Sequence, residues 1–275
     1  MIRGRSGAGG DRGLPGRSRK RAKSATLDTP LGRPKILAVL NSSSPIPEGR
    51  TIDDLGRRIA EEGLGIGAIK LNPDDPFQWA SGYRMPIYND NRMFLFHAEM
   101  RRTIAQGLAD IVRDRGMSPE VVAGTATAGI PHGALLADLL SLPFIYIRDK
   151  PKGHGLKNRI EGVDADSDLG GSRVVVIEDL ISTGGSSARA VEAVREANGV
   201  ADWCVSIFSY GLEKAAEQFA ALDPPCEYTS LLTFPVLLDV AKSGGFLSAE
   251  QIALLADWRE DPFGWGEKNG FPKVE

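Results

Sequence analysis

The chain has 275 residues, of which 42% are hydrophobic and 25% charged, as is usual for a folded globular protein. Its apolar runs fall far short of the roughly 20 residues that a membrane-spanning helix needs, so we expect no membrane segment. The net charge is −3, and the only two cysteines, Cys204 and Cys226, belong to no CxxC or Cys/His cluster, which argues against a disulfide scaffold or a zinc site and favours a reducing cytoplasm.

Positive charge is concentrated at the start of the chain. Residues 1–24 hold eight Lys or Arg against one Asp, which leaves 25 basic and 35 acidic residues elsewhere, a net charge of −10. This glycine-rich stretch buries too little to offset its ordering entropy, so residues 1–50 are predicted to be a flexible basic extension and linker. Two interpretations are favoured, a basic tail and a wrongly chosen upstream start codon. An organelle-targeting peptide is disfavoured, because such peptides form a helix and the glycines of this stretch destabilise one. The acidic remainder argues against a nucleic-acid binder.

From Thr51 onward, helical and extended patterns alternate. Helices are predicted over 51–62, 91–115, 130–140, 184–198, 213–222 and 248–258, strands over 120–124, 143–147, 173–177 and 203–210, a short apolar piece over 66–71 and a long loop over 150–168. Thr51 is predicted as an N-cap, and Ser248 with Gln251 as a capping pair. The alternation predicts one α/β domain over 51–260, with a mainly parallel sheet flanked by helices. Residues 261–275, rich in Gly, Pro and charge, are predicted to be a surface tail.

The most informative stretch joins a strand to a helix. Four β-branched residues, Val174–Ile177, are followed by Glu178 and Asp179 and then by a loop of Ser, Thr and Gly. Ligands of parallel sheets bind at this edge, N–H groups at a helix start attract phosphate, and glycine allows a close approach. Two acids would repel a bare anion, so they indicate a ligand that also presents sugar hydroxyls or magnesium. Walker and G-x-G-x-x-G patterns are absent here, which excludes the ordinary nucleotide sites.

This stretch resembles the phosphoribosyl pyrophosphate signature of type I phosphoribosyltransferases. The resemblance implies that fold, with a small N-terminal hood that binds the base. It also implies that two acids hold the ribose hydroxyls and that the loop holds the 5′-phosphate. The residues that it assigns to phosphoribosyl pyrophosphate are Glu178, Asp179, Leu180, Ile181, Ser182, Thr183, Gly184, Gly185 and Ser186. The signature is specific for this ligand and not for the base.

A second constellation, residues 146–162, holds five cations and one of the three histidines. On composition alone a solvated surface loop is the alternative, but this loop directly follows a strand of the predicted sheet. Fixed cations would stabilise the charge that pyrophosphate gains as it leaves, and a closing loop would exclude water. The pattern R-x-K-P-K-x-H-G resembles the catalytic loop of orotate phosphoribosyltransferases. It implies that Arg148, Lys152 and His154 contact the pyrophosphate group, with Lys152 and His154 catalytic. In that family the loop reaches the neighbouring subunit's site, so a homodimer is implied. Asp149 stands where many relatives have lysine.

A third segment, residues 68–92, alternates aromatic residues with turn residues and cations, as a pocket for a planar anionic base needs. A packed hairpin with an aromatic core is the alternative. The segment resembles the F-x-W-x-S-G-x-x-x-P-I-Y-x-D-N-R motif that separates bacterial orotate enzymes from purine-using relatives. The resemblance implies that orotate is bound by Lys70, Tyr88 and Ser182. Ala80 stands where many relatives have lysine, and Lys70 would supply that charge.

Residues 124–132 resemble the family's pyrophosphate-binding turn, although Ala128 stands where some relatives have lysine. We interpret His132 as a helix-start residue rather than a catalyst.

Together the resemblances predict a glycosyltransferase of pyrimidine biosynthesis. Orotate attacks C1 of the sugar through N1, pyrophosphate leaves, and orotidine 5′-phosphate forms. Mg²⁺ is held mainly by the substrate, with no direct side-chain ligand assigned. Two alternatives stay open. One is a phosphoribosyl-pyrophosphate-sensing regulatory or nucleic-acid-binding module, favoured only by residues 1–24, and the other is the same transfer to another nucleobase.

Overall fold

A central sheet organises the part of the chain that the computed structural model describes, which is residues 51–79, 81–150, 159–164 and 167–274. The strands of this part are β1 Ile69–Leu71, β2 Phe77–Gln78, β3 Arg84–Met85, β4 Ile87–Asn89, β5 Val121–Thr125, β6 Phe144–Ile147, β7 Ile160–Glu161, β8 Arg173–Ile181, β9 Val200–Ser209 and β10 Glu227–Thr233. Six of them form one sheet in the order β10-β9-β8-β5-β6-β7. All pairs in it are parallel except β6 with β7, so the predicted mainly parallel α/β sheet is confirmed.

Helices cover both faces of the sheet. Their bounds are α1 Ile52–Gly65, α2 Ala98–Asp114, α3 Gly129–Leu140, α4 Gly185–Glu196, α5 Glu213–Ala220, α6 Phe234–Ser243, α7 Ala249–Glu260 and α8 Trp265–Lys268, with a 3-10 helix over Asn91–Phe96. The predicted caps are confirmed. Thr51 and Asp54 form a reciprocal capping box at α1, and Ser248 and Gln251 form one at α7. Among the residues described, no helix combines the length and the apolar character that crossing a bilayer requires.

Strand β8 is buried on both faces, as its β-branched run predicts. Val175 and Ile177 join a core with residues of α1, α2 and α3, whereas Val174 and Val176 join a second core with residues of α4 and α5. The strand also runs further than predicted. It continues through the acids to Ile181, because its pairing with β9 continues as far as Ile181 opposite Ser209. The acids therefore have fixed backbone positions within a strand.

Two small antiparallel pairs, β1 with β4 and β2 with β3, form the hood. Its underside packs against the end of the described chain. The indole Nε1 of Trp258 donates to Met85 Sδ at 3.1 Å, and Val274 N donates to Gly82 O at 2.9 Å. Most of residues 261–274 are exposed or partly buried, so a surface tail over 261–275 stays a prediction, but the segment is anchored at one aromatic residue. Trp265 is fully buried there, because an aromatic ring in a mostly polar segment gains most by covering the hood.

Two further predictions differ from the structure. The helix predicted over 91–115 is interrupted at His97, whose extended backbone (φ −98°, ψ 101°) separates the 3-10 helix from α2. The loop predicted over 150–168 contains β7, which pairs with β6 at the sheet edge. Two residues are too few to show a period of alternation, so the sequence pattern could not reveal that strand.

Candidate functional site

The paired acids stand at the carboxyl edge of the sheet, where parallel folds bind ligands. Glu178 is buried and accepts hydrogen bonds from three chain segments. Thr125 Oγ1 donates to Glu178 Oε1 at 2.7 Å, the backbone N of Asp179 donates to the same oxygen at 3.0 Å, and Ser187 Oγ donates to Oε2 at 3.3 Å. Asp179 is only partly buried. The two acids therefore differ in accessibility, and Asp179 is the one more open to a ligand.

The two carboxyls also influence each other's charge. Burial and then the charge of Asp179 raise the pKa of Glu178 to about 8, against the hydrogen bond from Thr125. Burial likewise raises the pKa of Asp179, while the Glu178 side chain and the Arg92 guanidinium oppose that shift. Like charges this close favour a proton held by the pair. A sugar hydroxyl or a cation at Asp179 would favour the fully charged form instead.

The raised pKa of Glu178 predicts how stability depends on pH. Between about 4.5 and about 8 the native protein holds a proton that the unfolded chain releases, so its free energy of unfolding falls as pH rises. We expect Glu178→Gln to remove this dependence, which for one proton is at most about 1.4 kcal/mol per pH unit. Urea unfolding of both proteins at pH 5, 6, 7 and 8 measures it. The exposed Glu192→Gln on α4 is the matched control, and parallel pH profiles for native and Glu178→Gln proteins would contradict the assignment.

The predicted phosphate loop lies between β8 and α4. Ser182 and Thr183 are partly buried and Ser186 is exposed, so their hydroxyls stand near the surface beside the start of α4. Gly184 has φ +78°, a left-handed conformation that disfavours other residues. A Cβ there would also lie 3.0 Å from the Cα of Ala215. The chain can therefore turn tightly enough to direct the N–H groups of the α4 start outward, as an anion site requires.

The hood brings together the two residues predicted to bind the base there. Lys70 and Tyr88 are directly opposite each other in the β1–β4 pair, so their side chains share one face. Tyr88 is 39% exposed, and its ring centroid lies 6.0 Å from that of Phe77. An ammonium group and aromatic faces on one surface suit a planar anion. Ala80 lies outside the described residues.

Of the predicted pyrophosphate loop, the structure describes only the two ends, up to residue 150 and from residue 159. Lys152 and His154 lie outside the described residues. Arg148 follows β6, and its Nη1 donates to Glu161 Oε1 at 3.1 Å across the β6–β7 pair. Pyrophosphate would compete with Glu161 for this guanidinium. His132 is fully buried in the first turn of α3, where burial lowers its pKa to about 4, in keeping with a neutral side chain rather than an acid catalyst.

Three residues around the acids were missed from the sequence. Thr125 and Ser187 hold Glu178, and Asn91 Nδ2 donates to the backbone oxygen of Asp179 at 2.7 Å. The hood motif includes Asn91, but nothing in its spacing connects it to a residue 88 positions later. Thr125 was detectable in principle, since it ends a strand beside β8 and a hydroxyl there can reach the neighbouring edge.

No three His, Cys, Asp or Glu side chains gather into a metal-binding cluster in the described ranges. Magnesium is usually bound by one or two carboxylates together with substrate phosphates and waters. The partly exposed Asp179 carboxylate beside the predicted phosphate loop fits that form of binding.

The chain is similar to known proteins in sequence and in fold. A family model described as a phosphoribosyl transferase domain matches residues 93–221. An orotate phosphoribosyltransferase from Lactiplantibacillus plantarum is 45% identical over 215 residues, covering 78% of this chain and 99% of the relative. One from Staphylococcus saprophyticus is 48% identical over 207 residues, covering 75% and 99%. The crystal structure of orotate phosphoribosyltransferase from Aeropyrum pernix is 27% identical with a TM-score of 0.57, covering 69% of this chain and 99% of that one.

Proposed function

The chain belongs to the orotate phosphoribosyltransferases, and from that premise we propose how its own residues carry out the reaction. It transfers the phosphoribosyl group of phosphoribosyl pyrophosphate to orotate, giving orotidine 5′-phosphate and pyrophosphate in pyrimidine biosynthesis. The observation that best supports the residue assignments is the acid pair at the carboxyl edge of β8, followed by the hydroxyl-rich turn into α4.

The sugar phosphate is bound along β8 and the turn after it. Asp179, the more accessible acid, and Glu178 beside it accept hydrogen bonds from the ribose hydroxyls, while Thr125 and Ser187 hold the Glu178 carboxyl in place. Backbone N–H groups and hydroxyls of the turn bind the 5′-phosphate. The proposed contacts are Glu178, Asp179, Leu180, Ile181, Ser182, Thr183, Gly184, Gly185 and Ser186.

Orotate is bound under the hood. The Lys70 ammonium attracts its carboxylate, the Tyr88 ring covers its plane, and Ser182 contacts it from the phosphate turn. These contacts direct N1 toward C1 of the ribose. Because the transition state resembles an oxocarbenium ion, the protein needs to orient the two substrates and needs no nucleophile of its own.

Arg148, Lys152 and His154 bind the leaving pyrophosphate. Their positive charges act most strongly in the transition state, when the bond to C1 is breaking and negative charge builds on the leaving oxygen. Asp179 would lie beside a substrate-bound Mg²⁺, which would supply further positive charge to the same group. Arg148 must exchange Glu161 for pyrophosphate, so this contact forms only when substrate is present.

We further propose a cytoplasmic homodimer in which each subunit's cationic loop serves the neighbouring site. The exposed surface beside the hood supports such an interface, because Phe96 is 91% exposed and Met93 is also exposed at the 3-10 helix. Large apolar side chains this exposed favour a protein contact. Both cysteines are free thiols, as a reducing compartment requires.

The test is orotate consumption, followed by ultraviolet absorbance, with phosphoribosyl pyrophosphate and Mg²⁺ present together and with each omitted. We expect orotate to disappear only when both are present. Turnover of uracil, hypoxanthine or adenine in place of orotate would overturn the assignment of the base. Binding of phosphoribosyl pyrophosphate without turnover of any base would favour a sensor.

A further inference from the structure

We propose that Asn91 is a positioning residue that couples the orotate hood to the ribose-binding acids, so that each substrate strengthens the binding of the other. The inference rests on the proposed function, since it assumes which ligand each segment binds. Its physical basis is one buried hydrogen bond between two segments that are far apart in the sequence.

The bond joins the two halves of the site directly. Asn91 follows β4, the strand that carries Tyr88, and begins the 3-10 helix. Its side chain is fully buried, and its Nδ2 donates to the backbone oxygen of Asp179 at 2.7 Å. A displacement of the hood strand is therefore transmitted to the strand end that carries the ribose acids.

The backbone N–H and C=O of Asp179 lie beyond the end of the β5–β8 pairing and take their hydrogen-bond partners from side chains. The pairing of β8 with β5 ends at Ile177, so the backbone beyond it has no partner from that strand. Asn91 supplies a donor to the carbonyl of Asp179, and Glu178 Oε1 accepts from its N–H at 3.0 Å. Both peptide groups of Asp179 are thus fixed, which sets the direction of its carboxylate toward the sugar.

The cost of burying Asn91 argues for positioning rather than stability. Its Oδ1 is buried and has no hydrogen-bond partner among the described residues. A buried amide with an unsatisfied oxygen is less favourable than an apolar side chain of the same shape. The benefit of Asn91 must then be the geometry that its donor imposes.

The expected consequence is reciprocal coupling between the two ligands, as linkage requires. Ribose 5-phosphate occupies the sugar and phosphate sites without reacting, so it serves as the probe. In the unaltered protein the orotate Kd, measured by calorimetry, should fall at least about fivefold when saturating ribose 5-phosphate is present.

Asn91→Leu removes the donor and keeps a side chain of similar size. Asn91→Ala is a second variant that removes the same donor, and it replaces Asn91→Leu if that protein does not fold. In folded protein of either variant, orotate alone should bind as in the unaltered protein, and ribose 5-phosphate should change the orotate Kd by less than about twofold. Asn89→Ala, two residues earlier on β4 and without a bond to Asp179, is the matched control and should keep the coupling.

Three results would overturn the inference. One is coupling that persists in a folded Asn91→Leu protein, the second is equal loss of coupling in Asn89→Ala, and the third is absence of coupling in the unaltered protein. The failure of the proposed function looks different, because then orotate would not be consumed at all in the presence of phosphoribosyl pyrophosphate and Mg²⁺.

Discussion

Lys152→Ala is expected to lower kcat by about 10²–10³-fold, as removal of one fixed group that stabilises developing charge does in other enzymes. In the proposed mechanism the ammonium acts on pyrophosphate, whose charge grows only as the bond to the sugar breaks. The proposed mechanism gives orotate no contact with this group in either state. Its Kd should therefore change by less than about twofold, which separates loss of transition-state stabilisation from loss of binding. Steady-state turnover and calorimetric binding of orotate measure the two quantities.

The control for this variant is Lys157→Ala, which makes the same charge change in the same cationic stretch. It should retain most of the turnover, because the resemblance assigns no contact with pyrophosphate to that residue. Equal turnover in Lys152→Ala and the unaltered protein would remove Lys152 from the mechanism. An equal loss in both variants would instead point to the total charge of the stretch.

The same variant tests whether the loop acts across the dimer. An Asp179→Asn subunit lacks one of the acids proposed to bind ribose, and a Lys152→Ala subunit lacks the proposed loop cation. In a mixed dimer with shared loops, one site carries both defects and the other carries none. Random mixing should then recover about a quarter of the unaltered activity. No recovery after subunit exchange, verified by native mass spectrometry, would show that each loop serves its own subunit.

Trp258→Ala is expected to lower the free energy of unfolding by about 3–5 kcal/mol, as loss of a large buried aromatic side chain does. Trp258 is fully buried. Its ring centroid lies 5.4 Å from that of Tyr210, 5.3 Å from that of Phe234 and 6.5 Å from that of Trp79. These rings belong to the hood, the sheet edge and α6. Removing the Trp258 indole would leave a cavity among them and so weaken the packing of all three elements.

Urea unfolding followed by circular dichroism measures this loss. Phe246→Ala, which removes a half-exposed ring between α6 and α7, is the matched control and should change stability by less than about 1 kcal/mol. We also expect the KM for orotate to rise in Trp258→Ala, because Met85 and Trp79 of the hood lose their support. A loss of stability no greater than that of Phe246→Ala would show that the aromatic cluster is not a main source of stability.

The sequence predicted the features that depend on local pattern. The β-branched run of β8, the acids and the glycine turn follow one another in the chain, so their order alone indicates an anion site at a sheet edge. Lys70 and Tyr88 were both assigned to the base because they lie in one segment, residues 68–92, that resembles a family motif. Their direct pairing across two strands was not predicted. Capping residues such as Thr51 were predicted because a cap and its helix are neighbours in sequence.

The features that escaped prediction depend on residues far apart in the chain. No local pattern shows that Thr125 and Ser187 meet Glu178, or that Asn91 meets Asp179, because these contacts exist only once the sheet and hood are assembled. The break at His97 was missed for another reason. The helical pattern continues through 91–115, and tertiary packing, which overrides propensity, decides where the backbone is extended.

The ribosome makes the hood well before it makes the aromatic residue that packs against the hood. Trp258 supports Met85 across 173 residues. At about 5–20 residues per second, translation needs roughly 9–35 seconds to cover that distance. During that interval the strands of the central sheet are made and can pair, whereas the hood still lacks its contact with Trp258. With the sites proposed above, the segment for the sugar phosphate is therefore made and paired before the segment for the base has its full packing.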